Sequence, residues 1–236
     1  MIAVLRSLSL LPLLALGACQ TAQQAPMQIA QPQYDPRILA FYGEMQDGEH
    51  VIPAIDPRIV EERNIRQVVD FQTDEPVGTV VVDPYGHHLY LVMEGGQAMR
   101  YGIGVGRAGF AFAGTATVQR KASWPGWTPT QNMLRREPDR YGPYAGGVPG
   151  GLGNPLGARA LYLYRGGRDT MYRIHGTNEP QTIGRSVSAG CIRMFNQDVV
   201  DLETRVPNGS RVVVLREAYQ PEPTPIAAAP SRIAVF

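Results

Sequence analysis

The chain has 236 residues, of which 44% are hydrophobic and 18% charged, and its formal net charge at pH 7 is +1. This length allows one good hydrophobic core with appendages. No block of Lys and Arg exists that would neutralise a run of phosphates, which argues against nucleic acid as a partner. The charge also gives no reason to expect binding to an acidic membrane surface.

Residues 1–18 have the pattern of an export signal. Arg6 precedes an apolar run that ends at Leu16 and is too short for a permanent transmembrane helix, which needs about 20 residues. The run continues into Leu16-Gly-Ala-Cys19, which resembles a bacterial lipobox and predicts a lipidated Cys19. Ordinary cleavage after Gly17 or Ala18, with Cys19 incidental, is the alternative.

If Cys19 is lipidated, the lipid predicts where in the cell the protein lies. Multiple acyl chains on one cysteine would anchor the protein firmly, whereas a single chain is marginal. The next residue is Gln20 and not the aspartate associated with inner-membrane retention. By this resemblance the protein is expected in the periplasm as a membrane-anchored lipoprotein of the outer membrane.

Residues 19–74 are predicted to be a flexible tether and an N-terminal extension. Residues 20–33 include six glutamines and two prolines and have little to bury. Residues 59–68 are predicted to form a short helix, which Pro53 and Pro57 separate from what precedes it. No function is assigned to this helix.

From residue 77 the pattern changes to period two with β-branched residues, which predicts short strands. These are expected at residues 78–83, 88–93, 98–105, 115–122, 161–164, 171–175 and 210–215. One late helix is predicted at residues 197–205, with Asn196 as its N-cap. The elements predict a mainly β sandwich or barrel over residues 75–216 and a disordered tail over residues 217–236.

A long inserted loop at residues 124–157 interrupts the strands and is rich in Pro, Gly and aromatic residues. Long ordered loops in compact domains are often binding loops or lids. The loop holds both tryptophans, Trp124 and Trp127. They are expected either to contact the substrate or to pack as a small satellite core.

Cys191 is the cysteine that remains for the folded domain if Cys19 is acylated. It then has no disulfide partner within the chain, in an oxidising compartment. A lone cysteine is usually a small buried apolar residue. The Ser-Ala-Gly sequence before Cys191 and the Ile-Arg after it favour an exposed, reactive thiol instead.

His175 lies sixteen positions before Cys191 and supplies a base. A free thiol with a pKa near ~8.5 is only a few per cent thiolate at neutral pH, so a nucleophilic cysteine needs a proton acceptor. His175 would take the proton and later protonate the leaving amine. No acid is obvious as its orienting partner, so the backbone carbonyl of Gly176 or Thr177 is expected to orient the ring.

The short segment before Cys191 is expected to stabilise an oxyanion. The backbone N–H groups of Ala189, Gly190 and Cys191 are well placed for this if the loop curls. Ser188 is expected to hold the loop through its hydroxyl and to contribute to substrate binding.

Two arginines are candidates for substrate binding. Arg193 lies two residues after Cys191 and on a strand would share its face, where it could clamp a carboxylate. Its alternative role is a structural ion pair, for example with Asp198 or Asp201. Arg173, on the strand that carries His175, is the weaker candidate.

The remaining histidines lack cysteine or carboxylate partners at ligand spacing. His87 and His88 follow a turn, and His50 lies outside the β region. No metal site and no cofactor are therefore assigned.

The stretch from His175-Gly-Thr-Asn to Ser188-x-Gly190-Cys191-Ile-Arg193 resembles the YkuD-like L,D-transpeptidase catalytic domain. Asn154-Pro-Leu-Gly157 and Gly78-Thr-Val-Val-Val-Asp83 are similar to that family as well. One departure is Ala189, where many members carry histidine. A backbone oxyanion donor survives this change, but a side-chain contribution to acceptor recognition is lost.

The resemblance implies an enzyme that acts on peptidoglycan stem peptides. Cys191 would be the nucleophile and His175 the base, and the products would be 3→3 crosslinks between meso-diaminopimelate residues through a thioester. Carbapenem-type β-lactams would be covalent inhibitors. The alternatives are an L,D-carboxypeptidase or exchange enzyme, attachment of an outer-membrane protein to the wall by the same dyad, or a non-enzymatic wall-binding lipoprotein.

Overall fold

A computed structural model describes residues 34–187 and 191–220. Its strands are β1 (Met45–Asp47), β2 (His50–Ile52), β3 (Gln67–Asp70), β4 (Val80–Asp83), β5 (His88–Val92), β6 (Gln97–Gly102), β7 (Gly104–Gly106), β8 (Gly114–Ser123), β9 (Arg159–Arg165), β10 (Arg168–His175), β11 (Ser186–Val187), β12 (Ile192–Arg193) and β13 (Arg211–Val214). Its α-helices are α1 (Pro36–Tyr42), α2 (Arg107–Ala111), α3 (Gln131–Arg136), α4 (Pro138–Tyr141) and α5 (Asn196–Arg205). Short 3₁₀ turns cover Pro57–Ile59, Glu62–Asn64, Gly142–Tyr144 and Pro180–Thr182.

The mainly β architecture is confirmed. Within the described residues, eleven strands form one mixed sheet in the order β11-β7-β12-β10-β9-β8-β13-β4-β5-β6-β3, and β1 pairs with β2 in a separate hairpin. Three neighbouring pairs are parallel, namely β11 with β7, β12 with β10 and β13 with β4. The parallel pair of β10 and β12 matters most for the site because both candidate catalytic residues lie on or next to it.

The main hydrophobic core lies on one face of the sheet and is covered by α5. Alternate residues of β4, Val80 and Val82, point into this core, and Val199 and Leu202 of α5 pack against it. Val81 points to the other face, where it joins a smaller cluster with Phe71 and Tyr90. Both faces of β4 are therefore buried, which explains its continuous run of valines.

The N-terminal extension from residue 34 onwards is part of the fold. Ile38, Tyr42 and Ile65 are buried in a second cluster together with Ile183 and Phe195. Those last two residues flank the segment that carries Cys191. The extension therefore packs against residues on both sides of that segment in the chain. Residues 19–33, expected to be a tether, lie outside the described residues.

The prediction of a helix over residues 59–68 is wrong. Asp56 caps a 3₁₀ turn that starts at Pro57, a second turn follows, and the chain then enters β3. Val68 and Val69 of β3 pair with Met99 and Ala98 of β6. Pairing with a sheet edge, to which β-branched residues are suited, overrides the weak helical pattern.

Two further expectations are corrected. The helix α5 is not the single helix of the region, because α2, α3 and α4 also lie in it, and the last two fall within the predicted long loop. The start of the predicted tail is ordered as well: the ring of Tyr219 stacks on Phe71 with centroids 4.4 Å apart, and its N–H donates to Asp83. Residues 221–236 lie outside the described part.

The signal sequence and Cys19 also fall outside the described residues. In the part that is described, every helix is too short or too polar to cross a bilayer.

The buried contact of the extension predicts that it unfolds together with the sheet. Replacing Ile65, which is fully buried, by alanine should lower the free energy of unfolding by about 2–5 kcal/mol in a single transition. The matched control is Leu39→Ala, at a side chain that is 63% exposed, which should change it by less than about 0.5 kcal/mol. Thermal denaturation followed by circular dichroism measures both, and an unchanged Tm for Ile65→Ala would show that the extension does not contribute to stability.

Candidate active site

The parallel pairing of β10 with β12 brings His175 and Cys191 to the same side of the sheet. Ile174 pairs with Ile192, and both are buried in the main core. Because side chains alternate along a strand, the neighbours of these two isoleucines point to the opposite face. His175, the last residue of β10, and Cys191, the residue just before β12, are such neighbours, and both line the same cavity.

The ring of His175 is oriented by a backbone carbonyl. Its Nδ1 lies 2.6 Å from the carbonyl oxygen of Gly176, the contact expected from the sequence. Since a carbonyl only accepts, Nδ1 carries the proton and Nε2 is left as an acceptor. The side chain is only 3% exposed, and this burial lowers its pKa to about 4, helped by the charges of Arg193 and Arg173. The imidazole is therefore neutral at pH 7.

The thiol of Cys191 is neutral as well. Burial raises its pKa, while the backbone N–H and the guanidinium of Arg173, and the charge of Arg193, oppose that rise. Among the described residues, Sγ makes its hydrogen bond to the carbonyl oxygen of Met171 at 3.9 Å and none to His175. The resting protein thus holds a thiol and an unprotonated imidazole in one cavity, with no hydrogen bond between them. The two groups are not a preformed thiolate–imidazolium pair.

A bulge in β10 shapes the surroundings of the sulfur. The register between β10 and β9 shifts between Asp169 and Arg173, and Met171 within the bulge has a φ of 64°. Left-handed backbone is unusual for a residue other than glycine, and bulges of this kind often lie next to active sites. The Met171 side chain is exposed and lines the cavity beside the thiol.

Asn196 ties the end of β10 to the start of β9, a role that the sequence analysis missed. Its Oδ1 accepts from the N–H groups of Ala158 (3.0 Å) and Thr177 (3.1 Å), and its Nδ2 donates to the Thr177 carbonyl at 2.9 Å. A Cβ at Gly157 or Gly176 would overlap Oδ1, so this packing requires glycine at both positions. Asn196 is the first residue of α5, and the predicted N-cap role is wrong because the cap is Phe195.

Both candidate arginines line the cavity, and both have carboxylate partners. Arg193 pairs with Glu179 at 2.7 Å, so the partner is neither Asp198 nor Asp201 as the sequence analysis supposed. Arg173 pairs with Asp169 at 2.7 Å and lies over the ring of Tyr162 at 4.3 Å. These contacts fix the two guanidinium groups near the thiol.

The cavity has a volume of about 870 Å³ and a cationic lining. Five arginines contribute to it against two carboxylates, namely Arg107, Arg136, Arg140, Arg173 and Arg193 against Glu137 and Glu179. One wall comes from residues 124–158, which we call the β8–β9 insert because they join β8 to β9. The cavity therefore suits a ligand that carries carboxylates.

The two tryptophans of the insert differ in position. Trp127 lines the cavity and its ring lies 6.2 Å from that of Tyr141. Trp124 does not line it, so the predicted substrate contact of Trp124 is corrected. Its indole instead stacks on His50 and donates to Asp47 of the N-terminal extension.

Ser188, Ala189 and Gly190 lie outside the described residues. Their expected roles in holding the loop and binding the oxyanion remain predictions. In residues 34–187 and 191–220 there is no cluster of three or more His, Cys, Asp or Glu side chains that could hold a metal ion.

A neutral resting pair predicts the pH dependence of thiol alkylation. Because the pKa of Cys191 is raised, the rate with iodoacetamide should rise about tenfold per pH unit between pH 6 and 8, following the thiolate fraction. Intact-mass kinetics measure this rate, and the unfolded chain in denaturant gives the reference profile. A plateau below pH 7 would indicate a thiolate–imidazolium pair and would contradict the prediction.

Comparison with known proteins agrees with this geometry. Residues 78–214 match the family model described as the L,D-transpeptidase catalytic domain, YkuD. The chain is 41% identical over 125 residues to a probable L,D-transpeptidase ErfK/SrfK of Escherichia coli K12, covering 51% of this chain and 39% of that protein. It is 32% identical over 170 residues to a probable L,D-transpeptidase YcfS of the same organism, covering 69% and 52%.

A solved structure described as a probable carnitine operon oxidoreductase caia from Brucella melitensis is 52% identical in sequence. The match covers 64% of this chain and 92% of that one, with a TM-score of 0.45. The chain spans about two fifths to one half of the length of the two Escherichia coli relatives. The family model covers more than half of this chain, with the His175–Cys191 cavity inside the matched residues. The chain therefore belongs to the YkuD family of L,D-transpeptidase catalytic domains.

Proposed function

We propose that the protein is a cysteine acyltransferase that forms 3→3 crosslinks between meso-diaminopimelate residues of peptidoglycan stem peptides. One observation carries this proposal: a thiol and a neutral, backbone-oriented imidazole line one large cationic cavity. Family membership supplies the reaction class, and the cavity supplies the reason to expect a carboxylate-bearing peptide.

The first half-reaction transfers the acyl group to sulfur. As Sγ of Cys191 attacks the carbonyl carbon after the L-centre of meso-diaminopimelate, the S–H proton passes to Nε2 of His175. The tetrahedral intermediate then collapses, the peptide C–N bond breaks, and the imidazolium gives its proton to the departing amine of D-Ala. A thioester remains on Cys191.

The second half-reaction regenerates the thiol. The side-chain amine of a second stem attacks the thioester carbon, and His175 accepts the proton that the amine loses. The C–S bond breaks, the sulfur takes the proton back, and the new amide is the crosslink. The neutral state of His175 at pH 7 supports its role as base in both halves, because an imidazolium could not accept a proton.

The charge of the cavity supports the choice of substrate. A tetrapeptide stem carries free carboxylates on its terminal D-Ala and on meso-diaminopimelate. Five arginines against two carboxylates in the lining favour such an anionic peptide over a neutral one. We extend the same argument to carbapenem-type β-lactams, which also carry a carboxylate and would acylate Cys191.

The products of a disaccharide tetrapeptide test the proposal. The purified protein should convert it into a dimer whose mass equals two substrates minus one D-Ala, and meropenem should add to Cys191 in the intact mass. The matched control is Cys191→Ala, in which both signals should disappear. Tripeptide monomer alone would instead identify a carboxypeptidase, and a new amide with an added amino acid or protein amine would identify an exchange or attachment enzyme. If the wild-type protein forms no product and no meropenem adduct, as expected for Cys191→Ala, the remaining function is wall binding without catalysis.

We further propose that the protein is exported and anchored to the outer membrane through Cys19. The Leu16-Gly-Ala-Cys19 pattern and Gln20 after it support this location. Growth with a labelled fatty acid should label the wild-type chain and not Cys19→Ala. Equal labelling of the two, or no labelling of either, would contradict lipidation.

A further inference from the structure

The β1–β2 hairpin of the N-terminal extension holds a carboxylate with two separate partners. Asp47, the last residue of β1, accepts at Oδ2 from Trp124 Nε1 (2.8 Å) and from Arg159 Nη1 (2.6 Å). Its Oδ1 accepts from Arg159 Nη2 at 2.7 Å. This hairpin precedes the residues matched by the family model, which begin at residue 78.

The two partners of Asp47 lie where the β8–β9 insert begins and where it joins β9. Trp124 follows the last residue of β8, and Arg159 is the first residue of β9. The backbone N–H of Trp124 donates to the carbonyl of Ala158 at 2.8 Å, which closes the base of the insert. Trp124 has a φ of 44°, and its indole stacks on His50 with ring centroids 4.1 Å apart. The hairpin thus fixes an unusual backbone conformation where the insert leaves the sheet.

Both partners lead on to the active site. From Trp124 the insert continues into cavity-lining residues that include Trp127, Arg136, Arg140 and Tyr141. From Arg159 the link is shorter, because its carbonyl accepts the N–H of Gly176 at 3.0 Å. Gly176 in turn offers its own carbonyl to His175. Asp47 therefore contacts the first residue of a cavity wall, Trp124, and it contacts Arg159, which is hydrogen-bonded to the residue whose carbonyl orients the base.

The ion pair of Asp47 and Arg159 is largely shielded from solvent. Their side chains are only 15% and 10% exposed, and the contact is bidentate. The hydrogen bonds from Arg159 lower the pKa of Asp47, so the carboxylate is charged at neutral pH. A shielded bidentate pair of this kind is stronger and more directional than an exposed ion pair.

We propose that Asp47 is a positioning residue that sets the orientation of the β8–β9 insert and thereby the affinity of the cavity for its acyl donor. It acts through Trp124 and Arg159 and does not touch the reacting atoms. The N-terminal extension then contributes to donor binding and does not act only as a linker before the catalytic domain. The rate readout of this proposal rests on the proposed acyl transfer, whereas its fluorescence readout does not.

The test compares Asp47→Asn with Asp56→Asn. The control variant removes a carboxylate from the same extension that also binds an arginine, Arg58, without contact to the insert. In the Trp127→Phe background Trp124 is the remaining tryptophan of the chain. Its emission should shift to longer wavelength in Asp47→Asn and stay unchanged in Asp56→Asn, because an insert released from the hairpin exposes the indole to water.

The kinetic arm separates positioning from a general loss of structure. In the native background, Asp47→Asn should raise KM for the tetrapeptide donor about tenfold, while alkylation of Cys191 by the small reagent iodoacetamide changes less than about twofold. Asp47→Glu should restore part of the loss. All measurements are made well below the Tm of each variant.

Two outcomes would overturn the proposal. Asp47→Asn could leave the Trp124 emission and KM unchanged and lower only the Tm. That result is expected if the ion pair only stabilises the fold. Asp56→Asn could reproduce both changes, which would remove the specificity for the insert. If the wild-type protein converts no donor at all, the proposed function fails, and the emission shift still decides whether Asp47 positions the insert.

Discussion

The hydrogen bond between Nδ1 of His175 and the carbonyl oxygen of Gly176 is the interaction on which the site depends. It fixes the tautomer, so Nε2 is available to accept a proton, and it does so without a carboxylate partner. Gly176, which provides this carbonyl, and the next residue are themselves held by hydrogen bonds. The carbonyl of Arg159 binds the N–H of Gly176, and Asn196 binds both backbone groups of Thr177.

Burial and charge then set the protonation states of the pair. The cavity that suits an anionic peptide also places Arg173 and Arg193 beside the imidazole, and their charges help burial to keep it neutral. Burial also raises the pKa of the Cys191 thiol in the same cavity, so the thiol is protonated in the resting protein. Proton transfer and attack on the carbonyl carbon are thus expected to occur together, which limits the reactivity of the resting thiol toward oxidants.

The sequence predicted the parts of the fold and site that follow from local pattern. Alternating β-branched residues located the strands. The chemistry of a thiol that needs a base, together with the resemblance to a known family, identified His175 and Cys191 as the pair. Contacts between distant segments left no such pattern. Asn196 looked like an N-cap because its residue type suits one, and the loop of Trp124 allowed either a substrate contact or a satellite core. The contact of Asp47 with Arg159 joins residues 112 positions apart, and no local signal in the chain marks it.

The central claim is that His175 is a neutral base, protonated at Nδ1 and free at Nε2, in the resting protein. ¹⁵N NMR of the histidine ring nitrogens, with His175 assigned by its loss in His175→Gln, tests this claim directly between pH 3 and 8. The account predicts one protonated and one unprotonated ring nitrogen at pH 7, with titration near a pKa of about 4. Two protonated nitrogens at pH 7 would contradict it, because the resting pair would then be a thiolate and an imidazolium.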